Sequence, residues 1–432
     1  MAKAAAGGLA VALLALALPA AGQDRRTVTE PRFPERVCAR LAPDSSANEA
    51  ARLQAALAAC PAGAAVQLVP GPAGGDVPTG PLVVPPGVSL WLASGVRLRA
   101  IPDPALFDRG AGTCGMIDTK GGGCRPLLSL SGRGSGLYGP GTIDGQGGAV
   151  MAGRDETWWQ MARRAQGIGG AQNAPRLVQI DQAEDVTLYR LRLTDAPNFH
   201  VAMDGVKGVT AWGLVIDTPA DARNTDCIDP GSAEDVTIAH SFIRTGDDDV
   251  AIKAGPAGPS AHLSILDTHI YSGHGMSIGS QLQAGVRDVL VRGLSLDGTT
   301  WGLRIKSGGA VGGSVTGVRY QDVCLRANRW PISLTADYGG KVTGAMPRYS
   351  GIDFVGVTGQ GGRLVIAGAD PAHPVVARLD GLRFGPEARW QVANARLSGA
   401  DVVPAPPAMA PAAGRATPPD CSARFPPFPS AP

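Results

Sequence analysis

Three short segments decide the fold: Val236-Thr237-Ile238, Leu263-Ser264-Ile265 and Val289-Leu290-Val291. Each is rich in β-branched and aliphatic residues, which is typical of strands. They follow one another after 27 and 26 residues. They belong to a longer ladder made of Val186, Val209, Val236, Leu263, Val289 and Val318. A second ladder consists of Ile228, Ile252, Ile278, Ile305 and Ile332.

This repeat predicts an all-β solenoid. Its period holds two or three strand-like pieces and leaves no room for a long helix, so each repeat is one coil stacked on the last. Three short strands per coil fit a parallel β-helix, with stacked isoleucines filling the interior. A β-propeller needs about 40–50 residues per blade. A sandwich would not keep equivalent residues in phase over five repeats.

The composition supports a folded chain with many tight turns. Of 432 residues, 60 are glycine and 36 are proline, while 44% are hydrophobic and 18% are charged. That apolar content excludes a disordered chain. The net charge of +2 argues against a general nucleic-acid binder, which carries a large basic excess. No apolar run of membrane-spanning length follows residue 22, so we expect no membrane partner.

The first 22 residues are predicted to be a secretory signal peptide. Lys3 precedes a short apolar run from Leu9 to Leu18, and the small residues Ala20-Ala21-Gly22 offer a cleavage site before Gln23. The run is too short for a membrane anchor. We therefore expect a secreted protein, extracellular or periplasmic.

The rest of the chain divides into one domain and a tail. We expect residues 23–403 to form the β-helix domain. Residues 404–432 contain ten prolines among Ala and Gly, which predicts an extended, weakly structured tail. Its end, with Cys421 and Phe425-Pro426-Pro427-Phe428, could be fixed against the body. A single short N-terminal helix is predicted from Asn48 to Ala59, capped by Ser46 and closed by Cys60-Pro61.

Seven cysteines enter an oxidising compartment. Cys114 and Cys124 close a short Gly-rich loop and are a plausible bridge, and Cys38 with Cys60 is a weaker candidate pair. Because seven is odd, at least one thiol stays free or pairs between chains. The spacings do not match a zinc site.

The repeat brings distant polar residues together. Asp247 lies 11 residues after Val236, and His274 lies 11 after Leu263. They therefore occupy the same point on adjacent coils, about 4.8 Å apart along the stack. Asp248 shares that point. Strand alternation turns Ile305 inward and sends its two neighbours, Arg304 and Lys306, to the same outer face.

Asp226 extends this stripe by one coil in the other direction. Simple alternation places it on the inner side with Ile228, so it needs a turn or bulge to face the stripe. Carboxylates beside cations suit glycoside hydrolysis, which needs one acid to protonate the leaving oxygen and another carboxylate to act on water. Crowding raises at least one carboxyl pKa and keeps an acid protonated. Each motif alone has a plainer interpretation: a solvated Asp run or loose calcium site, a turn histidine, an exposed strand face.

The motifs resemble family 28 of the glycoside hydrolases, the polygalacturonases. Four signature blocks occur in order: Asn224-Thr225-Asp226, Gly246-Asp247-Asp248, Gly273-His274-Gly275 and Arg304-Ile305-Lys306. Further similar segments are Gly141 to Gly147 with Trp158-Trp159, Pro197-Asn198-Phe199-His200, and Asp337-Tyr338. The resemblance spans about residues 40–340. It implies a right-handed parallel β-helix and inverting hydrolysis of α-1,4-galacturonan, with endo action favoured over exo.

The resemblance also implies the catalytic roles. Asp247 would be the general acid, and Asp226 and Asp248 would position and deprotonate the attacking water. His274 would tune the protonation of the acid. No cofactor and no metal are expected.

The same resemblance implies the binding roles. Arg304, Lys306 and Tyr338 would hold the galacturonate carboxylate and hydroxyls, with Asn224 as a supporting contact. The expected partner is polygalacturonate or pectin, and the protein is expected to be a monomer.

Two positions depart from the family pattern. Cys227 sits where the family usually has glycine, so it could narrow the site or expose a reactive thiol. Asp249 sits where many fungal members have a disulfide cysteine, which adds a third negative charge near the acid.

Three other functions remain open at this stage. A non-catalytic pectin-binding β-helix would keep Arg304 and Lys306 and tolerate loss of the acids. A hydrolase of a related uronan, exo-acting or rhamnogalacturonan-type, would share the fold. A pectate lyase would use calcium and an arginine base, which this carboxylate and histidine arrangement does not suit.

Overall fold

The computed structural model describes residues 23–339 and 344–430. The predicted signal peptide, residues 1–22, lies outside these ranges. The described part of the chain contains no helix that is both long and apolar enough to span a membrane. The helices are α1 Ala50–Ala59, α2 Pro104–Phe107 and α3 Trp158–Gly167.

The remaining elements are strands, most of them short. The first thirteen are β1 Val37–Leu41, β2 Ala65–Leu68, β3 Asp76–Thr79, β4 Leu82–Val84, β5 Ser89–Leu92, β6 Arg97–Ala100, β7 Ile117–Asp118, β8 Leu128–Arg133, β9 Gly136–Tyr138, β10 Thr142–Asp144, β11 Ala171–Gln172, β12 Val178–Tyr189 and β13 Arg192–Thr194. The next thirteen are β14 Val201–Asp204, β15 Val206–Trp212, β16 Val215–Asp217, β17 Ile228–Asp229, β18 Ala233–Ala239, β19 Phe242–Arg244, β20 Val250–Ile252, β21 Ser260–Leu266, β22 His269–Ile270, β23 Met276–Gly279, β24 Val286–Arg292, β25 Ser295–Asp297 and β26 Trp301–Lys306. The last eight are β27 Ser314–Arg326, β28 Trp330–Thr335, β29 Arg348–Gly359, β30 Arg363–Ala367, β31 Val375–Phe384, β32 Arg389–Ala393, β33 Ala395–Val403 and β34 Ala410–Pro411.

Each coil pairs in parallel with the next, and the stacked coils form a right-handed parallel β-helix, as predicted. Three stacks of strands run along it. The ladder stack contains β12, β15, β18, β21, β24, β27, β29, β31 and β33. The side stack contains β10, β13, β16, β19, β22 and β25. The cleft stack contains β14, β17, β20, β23, β26, β28, β30 and β32.

The first predicted ladder is the interior of the ladder stack. Its six residues pair directly in register from Val186 to Val318, and Ile352 continues the row. All are at most 1% exposed. Aliphatic side chains repeated at one register position therefore build a continuous apolar core.

The isoleucine ladder is only partly as predicted. Ile252, Ile278 and Ile305 pair with one another. Ile228 instead pairs with Val250, and Ile332 pairs with Leu303. The prediction was wrong by two residues at each end because coil lengths vary. A shift of two keeps the side chain on the inner face, so both residues are still fully buried.

The helices differ from the prediction at two points. Ser46 does not cap α1: the side chain of Asn48 accepts from the N–H of Ala50 at 3.0 Å instead. Helices α2 and α3 were not predicted. Helix α3 has a capping box in which the Thr157 hydroxyl accepts from the Gln160 N–H and the Gln160 side chain accepts from the Thr157 N–H.

Three disulfides form in the described chain. Both candidate pairs are present, Cys38–Cys60 and Cys114–Cys124, and a third joins Cys324 to Cys421. Cys227 is the one free thiol among the described residues, and it is buried.

The C-terminal strap, residues 404–430, crosses the coils in the direction opposite to their stacking. It bonds first to Arg378 of β31, then to Thr358 of β29, and its disulfide reaches Cys324 of β27. Further on, Tyr271 donates to the Pro426 carbonyl and Arg192 of β13 donates to the Pro429 carbonyl. The expected fixing of the tail through Cys421 and the 425–428 run is confirmed.

The N-terminal strap, residues 23–36, behaves in the same way on the outer face of the ladder stack. The N–H of Asp24 donates to Ser264 of β21, and its carboxylate accepts from Thr237 of β18. Farther along, Glu30 accepts from Tyr189 of β12. Phe33 then stacks on Trp91 of β5, with ring centroids 5.1 Å apart.

Candidate functional site

A cleft of about 720 Å³ runs along the outer face of the cleft stack. It contains every residue that the sequence singled out for chemistry. Its lining includes Asn224, Asp226, Asp247, Asp248, His274, Arg304, Lys306 and Tyr338. Strand alternation explains the placement of the cations, because in β26 Leu303 and Ile305 fill the core while Arg304 and Lys306 face the cleft.

Asp247 and His274 meet across adjacent coils, as their equal distance from the ladder predicted. The His274 N–H donates to the Asp247 carbonyl at 2.8 Å, and its Nδ1 lies 3.1 Å from Asp247 Oδ1. Gly273 and Gly275 flank the histidine with φ of 96° and 74°. A Cβ on Gly275 would lie 2.1 Å from the Trp301 carbonyl oxygen. The turn therefore requires glycine to bring the imidazole against the carboxylate.

The pKa of Asp247 is low in the free protein. Burial raises it, but the hydrogen bond and positive charge of His274 outweigh burial and bring the pKa to about 2. The Lys306 ammonium and the Asn224 N–H act in the same direction. Asp247 is therefore not the carboxyl whose pKa the crowding of carboxylates raises.

Asp248 is the centre of a cationic cluster. Lys306 Nζ lies 2.5 Å from its Oδ2, Arg304 lies 3.7 Å from its Oδ1, and the Ser277 hydroxyl donates to Oδ1 at 2.9 Å. All four side chains are nearly or fully buried. The ligand atoms of Asp247, Asp248 and His274 lie within 4.8 Å of one another and could hold a metal ion. Two protein cations already bind Asp248, however, and supply the positive charge that an ion would bring.

Asp226 lies on the neighbouring coil with its own cation. Lys253 Nζ contacts Asp226 Oδ2 at 3.0 Å and Asp229 Oδ2 at 2.5 Å. Burial, together with the negative charges of Asp229 and Asp247, raises the pKa of Asp226 well above its ordinary value despite the lysine. Asp226 and Asp229 therefore share one lysine cation, and burial raises the pKa of both carboxyls.

The sequence analysis missed Lys253 and Asp229. A signal for the lysine existed: Ile252 pairs with Ile278 and Ile278 with Ile305, so Lys253 follows that ladder as Lys306 does. The two lysines occupy one register position two coils apart, with Gly279 between them. Asp229, the last residue of β17, carries no comparable signal.

A turn explains why Asp226 faces the cleft, although simple alternation placed it on the inner side. Asn224 has φ of 57°, and β17 begins only at Ile228. Asp226 therefore precedes the strand and faces the cleft, while Cys227 turns into the core. Asn224 contributes its backbone N–H, 3.2 Å from Asp247 Oδ2. Tyr338 is 46% exposed, with its ring 5.4 Å from Lys306 Nζ.

The two departures from the family pattern have structural roles that differ from the expectation. Cys227 is fully buried in the apolar core, so it neither narrows the cleft nor exposes a thiol, and burial raises its pKa. Asp249 is also fully buried, and burial raises its pKa well above the ordinary value, which opposes the extra negative charge. Its Oδ2 accepts from the Gly275 N–H at 2.8 Å and so supports the turn that carries His274.

Aromatic residues form one wall of the cleft. Trp301 meets the His274 ring edge-on, with centroids 4.9 Å apart, and the Arg304 guanidinium lies 3.8 Å from the Trp301 ring centroid. Trp330 stacks behind Trp301. This packing orients the imidazole and the guanidinium toward the carboxylates.

Comparisons with known proteins agree with this geometry. Residues 126–370 match the family described as Glycosyl hydrolases family 28. The chain is 42% identical over 374 residues to an endo-polygalacturonase of Pectobacterium carotovorum subsp. carotovorum, covering 86% of this chain and 92% of that protein. A polygalacturonase of Ralstonia solanacearum is 37% identical over 349 residues, covering 72% of this chain and 66% of that protein.

Solved structures show the same similarity. The polygalacturonase from Erwinia carotovora ssp. carotovora superposes with a TM-score of 0.83 at 41% identity, covering 87% of this chain and 100% of that one. The exopolygalacturonase from Thermotoga maritima has a TM-score of 0.72 at 19% identity, covering 87% of this chain and 93% of that one. At that identity the second likeness shows the fold alone.

Proposed function

The chain belongs to family 28 of the glycosyl hydrolases, and we propose that it is an endo-polygalacturonase acting on α-1,4-galacturonosyl bonds with inversion. The observation that carries this proposal is the cluster of three cleft carboxylates, Asp226, Asp247 and Asp248, beside Arg304 and Lys306. The carboxylates supply the acid and base of glycoside hydrolysis. The cations suit a substrate with a carboxylate on each sugar.

In this mechanism Asp247 protonates the glycosidic oxygen as the bond breaks. Asp226 and Asp248 hold a water on the other face of the sugar, and one of them takes its proton during attack. His274, through the 3.1 Å contact of its Nδ1 with Asp247, controls when that carboxyl can be protonated. These groups act in the reaction without a covalent intermediate, which is the route to inversion.

The pKa of Asp247 is low in the free protein, so substrate binding must raise it before Asp247 can act as the general acid. A uronate carboxylate bound by Arg304 and Lys306 neutralises the ammonium that lowers the Asp247 pKa. It also places a negative charge near Asp247. Both effects raise that pKa, so the acid gains its proton when substrate is present.

Substrate binding is assigned to four residues. Arg304 and Lys306 hold the uronate carboxylate, and the exposed Tyr338 ring covers the sugar beside them. Asn224 lines the cleft as a supporting substrate contact, and its backbone N–H also fixes the Asp247 carboxylate. No resident metal is part of this proposal, because Lys306 and Arg304 already neutralise Asp248.

Endo action is supported by the similarity to enzymes named endo-polygalacturonases. We also propose that the mature enzyme is a secreted monomer beginning at Gln23. Expression of the full chain, followed by N-terminal sequencing and sizing of the exported protein, tests this. Recovery of an uncleaved, cell-associated chain would contradict it.

The first experiment follows reducing ends and ultraviolet absorbance together during incubation of purified protein with polygalacturonate. We expect reducing ends without unsaturated product, and a rapid fall in viscosity at low conversion because bonds are cut internally. Unsaturated product would indicate a lyase and remove Asp247 from its role. Folded protein that binds the polymer without releasing reducing ends would favour a binding module.

A further inference from the structure

A side pocket of about 220 Å³ opens from the catalytic cleft. It lies between the end of α3 with β11 on one side and the turn before Asp226 on the other. Arg176, Phe199, Arg223 and Asn224 line both the side pocket and the cleft, so the two are continuous. Arg163 of α3 fixes the turn by contacts with Asp221, which shapes this wall.

Two guanidinium groups face this pocket without a described carboxylate within 4 Å, and Arg176 acts on Asp181 and Asp229 only at longer range. Neither Arg176 nor Arg223 forms an ion pair within the described chain, although many of its other arginines do. Arg223 Nε is buried and has no hydrogen-bond partner among the described residues. Arg176 donates to the side-chain oxygen of Gln179 at 2.5 Å and is otherwise exposed. An unpartnered buried donor is costly unless a ligand satisfies it.

Phe199 supplies an apolar face between cations. The Arg176 guanidinium lies 5.1 Å from the Phe199 ring centroid, and Lys253 Nζ lies 4.4 Å from it on the side of the catalytic carboxylates. The ring therefore holds the Arg176 guanidinium at the pocket wall by a cation–π contact.

The pocket lies on the opposite side of the acids from Arg304 and Lys306. Arg176 precedes β12, which is two coils before β17, where the Asp226 turn ends. With about 4.8 Å between coils, Arg176 is roughly 10 Å along the axis from that turn. A polymer held by Arg304 and Lys306 at one end of the cleft would extend past the acids to Arg176 and Arg223.

We propose that Arg223, beside the Asp226 turn, and Arg176, farther along the cleft, bind galacturonate carboxylates on the side of the acids away from Arg304 and Lys306. This rests on the proposed function, because it takes the ligand to be a polyuronide. Both arginines bind without taking part in the chemistry. The contribution of Arg176 therefore appears only with substrates long enough to reach it.

The test measures kcat/KM for galacturonate oligomers from the shortest one cleaved up to the hexamer. The variants are Arg176→Gln, Arg223→Gln and Arg176→Lys, with Arg396→Gln, an exposed arginine of β33, as the matched control. We expect the ratio of hexamer to shortest-oligomer kcat/KM to fall about tenfold in Arg176→Gln, the value of one charge-assisted hydrogen bond, and to fall less in Arg223→Gln, because Arg223 lies closer to the acids. Arg176→Lys should recover part of this ratio, and the control should keep it.

A second measurement separates binding from turnover. Titration of hexagalacturonate into Asp247→Asn protein, with and without Arg176→Gln, should show weaker binding and a smaller dependence of affinity on NaCl in the double variant. A length ratio unchanged by either Gln substitution in an enzyme that cleaves the hexamer would overturn this binding role alone. A wild-type protein that cleaves no galacturonan would overturn the proposed function instead.

Discussion

The inner and outer faces of the same strands differ in how their side chains repeat from coil to coil. In β26, Leu303 and Ile305 fill the core with 0% exposure, while the residues that follow each of them, Arg304 and Lys306, face the cleft. The inner face repeats one kind of side chain from coil to coil. The outer face changes from coil to coil, as Lys253, Gly279 and Lys306 do at one register position, and its charged groups each have a specific partner. Stability is therefore spread over many equivalent positions, while activity depends on single groups.

The largest expected effect comes from replacing Asp247, the proposed general acid on the outer face. Asp247→Asn keeps the shape of the side chain and removes the proton it donates. We expect kcat on polygalacturonate to fall about 10²–10⁴-fold, a loss much larger than the stability lost with the contacts of the ionised carboxylate. Near-normal turnover in this variant would show that another group is the general acid.

Adjacent residues of β23 separate the two faces most directly. Ile278 is fully buried in the core, and Ser277 donates to Asp248 from the cleft side. Ile278→Ala should lower the free energy of unfolding by about 2–5 kcal/mol while the remaining folded enzyme keeps its kcat. Ser277→Ala should lower kcat about tenfold through the lost hydrogen bond and change stability by less than Ile278→Ala.

Urea unfolding and kcat, measured on both variants under the same conditions, provide the comparison. Equal losses of stability and of kcat in the two variants would show that the faces are not separable in this way.

A smaller effect is a displacement between two pH profiles. The profile of kcat/KM reports the free enzyme, in which His274 and Lys306 lower the Asp247 pKa to about 2. The profile of kcat reports the complex, in which a bound uronate raises that pKa. Because Asp247 must be protonated, the descending limb of kcat should lie at higher pH than that of kcat/KM. Coincident limbs would argue against substrate-assisted protonation.

The smallest expected effect is that of a chelator. Lys306 and Arg304 bind Asp248 where a metal would be held, so hydrolysis should proceed at the same rate after dialysis against EDTA. The measurement is reducing-end release with and without added calcium. Loss of activity that calcium restores would mean that the Asp247, Asp248 and His274 cluster binds a working ion.

The inner face was predictable and the outer face only in part. The valine ladder appears in the sequence because every coil needs an aliphatic side chain at that point. The pairing of Asp247 with His274 followed from the same period. The role of Cys227 did not follow from it, because the turn around Asn224 reverses the alternation just before β17. The role of Asp249 did not follow either, because this residue lies just before β20. Alternation holds inside strands, and these residues lie where strands begin.

Other parts depended on contacts that no repeat encodes. Lys253 was predictable in principle from its register with Lys306. Helix α3 was signalled by Thr157 and Gln160, three residues apart. The link from Cys324 to Cys421 spans 97 residues, and only the folded path of the C-terminal strap brings the two sulfurs together.

The two straps change how such a molecule comes apart. A solenoid stabilised only by contacts between neighbouring coils can unfold from either end, because each coil contacts only the adjacent ones. The N-terminal strap reaches from β5 to Ser264 of β21, and the C-terminal strap reaches from β31 to Arg192 of β13. Their spans overlap on the coils that bring Asp226, Asp247 and His274 to the cleft. Opening those coils requires the release of both straps. We therefore expect the coils that carry the catalytic residues to unfold cooperatively.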